Sequence, residues 1–149
     1  MRILSILVVL FLALACQPKT GAVAGEAADN KKEMATIPVP SAWVIKTCEQ
    51  NGKSIPAVNS KGFIAIREGQ IGGNSGCNTF GGDWTGSAAK MKVPGVMSTK
   101  MYCQDAAEQE QMVFDLLNGT VTTKVSGNEL TMSGSGITLT LMRNDKLLK

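Results

Sequence analysis

The stretch Gly72-Gly73-Asn74-Ser75-Gly76-Cys77-Asn78-Thr79-Phe80-Gly81-Gly82-Asp83-Trp84 decides the fold, and Ser98-Thr99-Lys100-Met101-Tyr102-Cys103 answers it downstream. A segment this dense in glycine bends its backbone where a Cβ would not fit, because glycine alone reaches positive φ at little steric cost. Each segment carries one cysteine, in a chain of 149 residues with four cysteines and no histidine.

Outward from this stretch the chain reads mainly with a period of two, the signature of half-buried strands. Phe63 to Arg67 predicts a short strand, Glu68-Gly69 a tight turn, and residues 70–73 its partner. Residues 88–93 are a further candidate. Val121, Thr123 and Val125 lead into Gly127-Asn128, after which Leu130 and Met132 resume the alternation. Ser133-Gly134-Ser135-Gly136 then turns into Ile137, Leu139 and Leu141, so three antiparallel strands close the chain. Residues 104–118 alone show helical spacing, with Met112, Val113, Phe114, Leu116 and Leu117 clustered. Asp105 is the expected N-cap, Glu108 its capping-box partner, and Asn118-Gly119 the stop. The expectation is a mainly β (α+β) domain whose antiparallel sheet curls around or against one helix, which protects its edges.

The N-terminus carries an address. Arg2 followed by an apolar run over residues 3–14 is too short for a membrane span, which needs roughly 20 residues. It reads as a signal peptide over residues 1–15. Ala13-Leu14-Ala15 fits ordinary secretory cleavage, whereas Leu12-Ala13-Leu14-Ala15-Cys16 resembles a bacterial lipobox and predicts lipidation of Cys16. An acyl anchor contributes roughly 0.8 kcal/mol per buried methylene, enough to hold a small domain on a membrane. Gln17, standing where an Asp would signal retention, points to the outer membrane. Residues 16–40 lack aromatic residues and apolar periodicity and read as a tether, reaching about 25–30 Å. The domain proper is expected over residues 41–149.

Composition removes several function classes. Fifteen basic against 12 acidic side chains, a net of +3, with no basic run interleaved with aromatics, argue against nucleic acid. Without histidine, and with scattered cysteines and no Cys-x-x-Cys, neither a zinc site nor a reactive dithiol is expected. Gly73-Asn74-Ser75-Gly76 fails the nucleophile-elbow pattern because Cys77 occupies its last glycine position. It fits no phosphate loop either. Asp83, Glu108 and Glu110 read as solvated or helix-start carboxylates, so no catalytic, cofactor-binding or metal-ligating residue is expected, and the chain is read as no enzyme. Asn78 reads as a cap on turned backbone, and Trp43 and Trp84 as core or barrel-end residues. A Trp84 exposed beside Phe80 and Met101 would instead mark a partner surface.

Trp43, Gly52, the run Gly76 to Trp84, the run Thr99 to Cys103, and then Glu108, Glu110, Phe114 and Leu117 resemble the META domain family, which includes the HslJ-like lipoproteins of bacteria. The resemblance covers most of residues 42–143. Its motif positions here are Trp43, Gly76, Cys77, Asn78, Phe80, Gly82, Trp84, Thr99, Met101 and Cys103. Trp84 stands where Tyr is more usual, and Cys48 lies outside the pattern. The resemblance implies an antiparallel, barrel-like sheet of about eight strands with one α-helix. It also implies a disulfide between Cys77 and Cys103, the two family cysteines, with Cys48 bonding to either partner and three reduced thiols as the alternatives in an oxidising compartment. For function it implies a non-enzymatic, monomeric envelope lipoprotein with a structural or interaction role in heat or antibiotic stress tolerance. Its partners would be the membrane, through the lipid anchor, and an envelope protein. A surface-anchored protease inhibitor and a small-ligand-binding barrel are the competing expectations.

Overall fold

The computed structural model describes residues 36–149. The expected signal peptide, Cys16 and the tether up to residue 35 lie outside the described residues.

The described residues form eleven strands, the last three of them built from alternating apolar residues. They are β1 (Ser41–Gln50), β2 (Lys53–Pro56), β3 (Phe63–Arg67), β4 (Gln70–Asn74), β5 (Thr79–Asp83), β6 (Thr85–Ser87), β7 (Lys90–Val93), β8 (Met97–Ser98), β9 (Gly119–Ser126), β10 (Glu129–Gly134) and β11 (Ile137–Arg143). They pair in the order β6-β7-β9-β10-β11-β1-β3-β4-β5-β8, with β2 beside the second half of β1. The two ends of this path belong to each other. β5 and β6 are halves of one run broken only at Trp84, and β7 and β8 are halves of the next. These runs form a single long hairpin in which Ser87 faces Lys90, Thr85 faces Lys92, Gly81 faces Met97 and Phe80 faces Ser98. The sheet therefore returns to its start. With each run counted once and β2 set aside, eight strands ring the core, as expected, and a ring leaves few open edges.

The inward set is what the alternation predicts: Val121, Thr123 and Val125, Leu130 and Met132, then Ile137, Leu139 and Leu141. Trp43, Ile45, Ile64 and Ile66 complete it from the other side. β1 changes parity midway. Its register against β11 steps between Ile45 and Thr47, leaving Lys46 as the extra residue of a bulge. A one-residue insertion turns the following side chains over, and so Cys48, an even-numbered position after Trp43 and Ile45, is fully buried. Ile37, ahead of β1, is buried in the same core.

One helix, α1 (Ala107–Leu116), lays Gln109, Met112, Val113 and Leu116 onto this core beside β1, β9 and β11. Phe114 meets Phe80 edge to face with ring centroids 5.9 Å apart. The helix does not begin as its sequence suggests. A 3₁₀ turn over Gln104–Ala106 precedes it, Ala106 is the N-cap, and no side chain caps either element. Asp105 therefore makes no cap. Glu108 has no capping role and reaches Lys53 at 2.6 Å instead. The cause is a local turn beginning at the disulfide-bonded Cys103: the Ala106 N–H already donates to the Cys103 carbonyl at 3.0 Å, so the chain is turned before a capping side chain is needed. At the far end Leu117 closes the helix through its N–H to the Val113 carbonyl, and Gly119 is the first residue of β9, not the helix stop.

The glycines of β4 bear on the ring directly. A Cβ at Gly73 would lie 2.0 Å from the Phe63 carbonyl oxygen, at φ +155, whereas one at the β9–β10 turn residue Gly127, at φ +62, would meet nothing within 4 Å. In urea denaturation Gly73→Ala is expected to cost more than about 3 kcal/mol, because backbone must move. Gly127→Ala should cost only about 1 kcal/mol, the penalty of the left-handed conformation. Equal costs would refute the close approach at Gly73.

Candidate functional site

The signature run spans β4, a buried turn and β5. Its turn is closed by its own polar groups: the Ser75 N–H donates to the Asn78 carbonyl at 2.9 Å, and the Gly76 N–H donates to Asn74 Oδ1 at 2.8 Å. A short amide side chain bonding two residues on is the usual device for fixing such a turn. Ser75, Gly76, Cys77 and Asn78 are all buried.

Asn78 is the centre of the arrangement. Its Oδ1 accepts from the Met101 N–H at 2.7 Å and from Thr99 Oγ1 at 2.8 Å. Its Nδ2 donates to the Met101 carbonyl at 2.9 Å and to the Glu110 carboxylate at 3.0 Å. The side chain thus satisfies both peptide groups of Met101, much as a neighbouring strand would. Glu110 also accepts from the Asn78 N–H at 3.3 Å and from the Ser75 hydroxyl. Gln109, buried on the same helix, donates from Nε2 to the Ser75 carbonyl and accepts the Val58 N–H at 3.0 Å. Gly76 sits at φ +111, where an L side chain is strained, and a Cβ there would also stand 2.7 Å from that Gln109 nitrogen, so the turn needs glycine. Thr99 joins β5 through its N–H to the Thr79 carbonyl at 3.0 Å. Cys77 and Cys103 form the disulfide the resemblance implied, and Cys48 pairs with neither.

The fold brings Gly76, Cys77, Asn78, Phe80, Thr99, Met101 and Cys103 together. Trp43 and Trp84 lie elsewhere. Trp84 is buried at the β3–β4 turn, its indole N–H donating to the carbonyls of Arg67 at 2.9 Å and Gln70 at 3.1 Å. Trp43 donates to Ser41 Oγ at 2.7 Å and carries Arg143 over its ring at 5.9 Å. Gly82 packs against the Gly95 backbone, where a Cβ would come within 2.7 Å of a carbonyl oxygen. Glu110 and Gln109 are the participants that sequence reasoning missed: the first was read as a helix-start charge, the second not singled out. A glutamine on the apolar face of a helix was the one available signal.

The network consumes its own polar capacity. Among the described residues no buried side-chain nitrogen or oxygen lacks a hydrogen-bond partner, and no cluster of three His, Cys, Asp or Glu could hold a metal. Cys48, buried in apolar surroundings, has its thiol pushed up to about 11. What the network presents to solvent is the loop it holds, residues 96–103. Trp84 and Phe80 are buried, so the aromatic patch considered from the sequence does not form. Instead Met97, Met101 and Tyr102 stand 84%, 59% and 86% exposed, with Lys100 as the only charge in residues 93–103. Met97 rises between two shallow depressions of about 400 and 300 Å³ that share Gly81.

The META domain family model matches residues 36–146. An NMR structure of a protein is similar at 24% identity and TM-score 0.56, covering 72% of this chain and 92% of that one. An NMR structure of a protein from Burkholderia xenovorans is similar at 16% identity and TM-score 0.58, covering 71% and 83%. Both are likenesses of fold. No curated protein matches the sequence.

Two substitutions at Asn78 test this geometry. Asn78→Ala should lower the unfolding free energy by about 2–3 kcal/mol, since it orphans both Met101 peptide groups. Asn78→Asp should cost more at pH 7, where two carboxylates would face each other; an Asp variant as stable as wild type would contradict the arrangement. For Cys48, the raised thiol pKa favours the protonated folded state. Between pH 9 and 11 the unfolded chain binds fewer protons than the native one, so stability should fall with rising pH over that window. That decline should be absent from the Cys48→Ala variant and so should appear in the difference between the two curves. Native iodoacetamide labelling at pH 8 should also run about 100-fold or more below that of an unperturbed thiol.

Proposed function

This chain belongs to the META domain family, and we propose that it acts as a non-enzymatic lipoprotein of the bacterial cell envelope, contributing to heat or antibiotic tolerance by holding a partner protein. Support for the anchor comes from Leu12-Ala13-Leu14-Ala15-Cys16, and for the outer membrane from Gln17. The observation that carries the reading is the loop bearing Met97, Met101 and Tyr102. Its backbone is tied by Asn78, Thr79 and the Cys77–Cys103 bond, while its large side chains face water. Ordering a loop at an interface costs roughly 0.5–1.5 kcal/mol for each immobilised side chain, and a loop fixed beforehand avoids much of the backbone cost. The same economy would serve a protease inhibitor, the second reading.

The test is genetic and biochemical. A strain lacking the gene should survive heat or envelope-active antibiotics less well, and the wild-type gene should restore survival where a Met97→Ser, Tyr102→Ser version does not. The lipidated wild-type protein should recover an envelope protein from solubilised membranes at least tenfold better than that variant. Full survival of the deletion strain under every stress, or equal rescue by both versions, would overturn the proposal. Slowed hydrolysis in a panel of secreted proteases, seen for wild type alone, would favour inhibition.

A further inference from the structure

We infer that Met97 and Met101 form an oxidation site that switches the exposed loop from apolar to polar without unfolding the domain. The six methionines of the described residues differ sharply in access. Met91, Met112 and Met132 are buried at 0%, 3% and 0% exposure and Met142, on β11, is 37% exposed, whereas Met97 and Met101, together on the loop, are 84% and 59% exposed. Hydrogen peroxide reaches the outer sulfurs directly. The thioether lone pair attacks one peroxide oxygen, the O–O bond breaks, an S–O bond forms, and the other oxygen leaves as water. Sulfur loses two electrons and the peroxide gains them, giving methionine sulfoxide, a polar side chain that sulfoxide reductases return to the thioether.

Two features separate this from ordinary damage. First, the loop is held through groups that oxidation leaves alone. Met101 is tied by its peptide N–H and carbonyl to Asn78, and Met97 pairs with Gly81 through backbone. Neither thioether belongs to the core cluster. Second, the two sulfurs lie on one six-residue stretch, 97–102, together with the exposed ring of Tyr102. Sulfoxide at both positions makes two of the three large exposed hydrophobic side chains of the stretch polar and leaves the Tyr102 ring as the third. Oxidation would therefore release a bound partner and leave the scaffold standing. This regulation rests on the reading of the loop as the contact surface, but the chemistry can be examined with no partner present.

The mature chain from residue 16, carrying Cys16→Ser so that no acyl group interferes, is titrated with hydrogen peroxide. Peptide mass mapping, retention on a phenyl matrix and thermal unfolding are then followed. Met97 and Met101 should each gain one oxygen at least tenfold faster than Met91, Met112 and Met132. Retention should fall in step while Tm moves by less than about 2 °C, and sulfoxide reductases should restore retention. A Met97→Leu, Met101→Leu variant should keep its retention under the same oxidant. Buried methionines reacting as fast, a Tm that collapses with loop oxidation, or an equal loss of retention in the Leu variant would each overturn the switch. None of these outcomes depends on recovering an envelope protein, so they stand apart from the test of the partner-holding role.

Discussion

A single carboxamide sits where three parts of this molecule meet. Asn78 joins the buried signature turn, the downstream loop at Met101 and the Thr99 hydroxyl, and the helix carboxylate of Glu110. A buried amide of this kind is stabilising only when every donor and acceptor is matched, since each orphan costs about 1–3 kcal/mol. That demand explains much of the local sequence. Ser75 and Glu110 satisfy the turn, Gln109 reaches past a position that only glycine allows, and Cys77 and Cys103 are left aligned to join. The disulfide and the network hold the same loop, one covalently and the other by polar matching.

The ring of strands does the complementary work. It closes because one run of chain bends at Trp84 and the next bends between Val93 and Met97, so that each contributes two short strands to the path. The indole N–H of Trp84 fixes the first bend by bonding two carbonyls of the β3–β4 turn. The core behind it is apolar, and the polar network is confined to one end. The core contributes to stability alone, whereas the network contributes to stability and holds the loop as well.

The strands were legible where their signal is local. Phe63–Arg67 and the three terminal strands lie where period two and turn residues place them. The helix was legible as an element but not in its first turn, because Cys103 and its disulfide decide how the chain enters it. Cys48 looked like a third partner in thiol chemistry. A bulge at Lys46, which no local pattern announces, turns it inward instead. Glu110 was hidden for a related reason: its partner lies 32 residues away, and a helix-start glutamate looks the same whether it meets water or a buried amide. The exposure of Met97, Met101 and Tyr102 was illegible too, since in sequence they resemble a strand's apolar positions.

The direction in which the chain enters the ring carries a mechanical meaning. Ser41 pairs with Ile66, beside the β3–β4 turn, while Thr99 lies by Thr79 at the other end of the same strands. A pull on the N-terminus and a grip on the loop therefore act at opposite poles. Such a load runs along β1 and draws it lengthwise against β11 and β3, so that many ladder bonds resist together and cannot be peeled one at a time. Held at its N-terminus and gripped at its loop as proposed, the domain would be loaded in shear, the direction in which a sheet is hardest to tear.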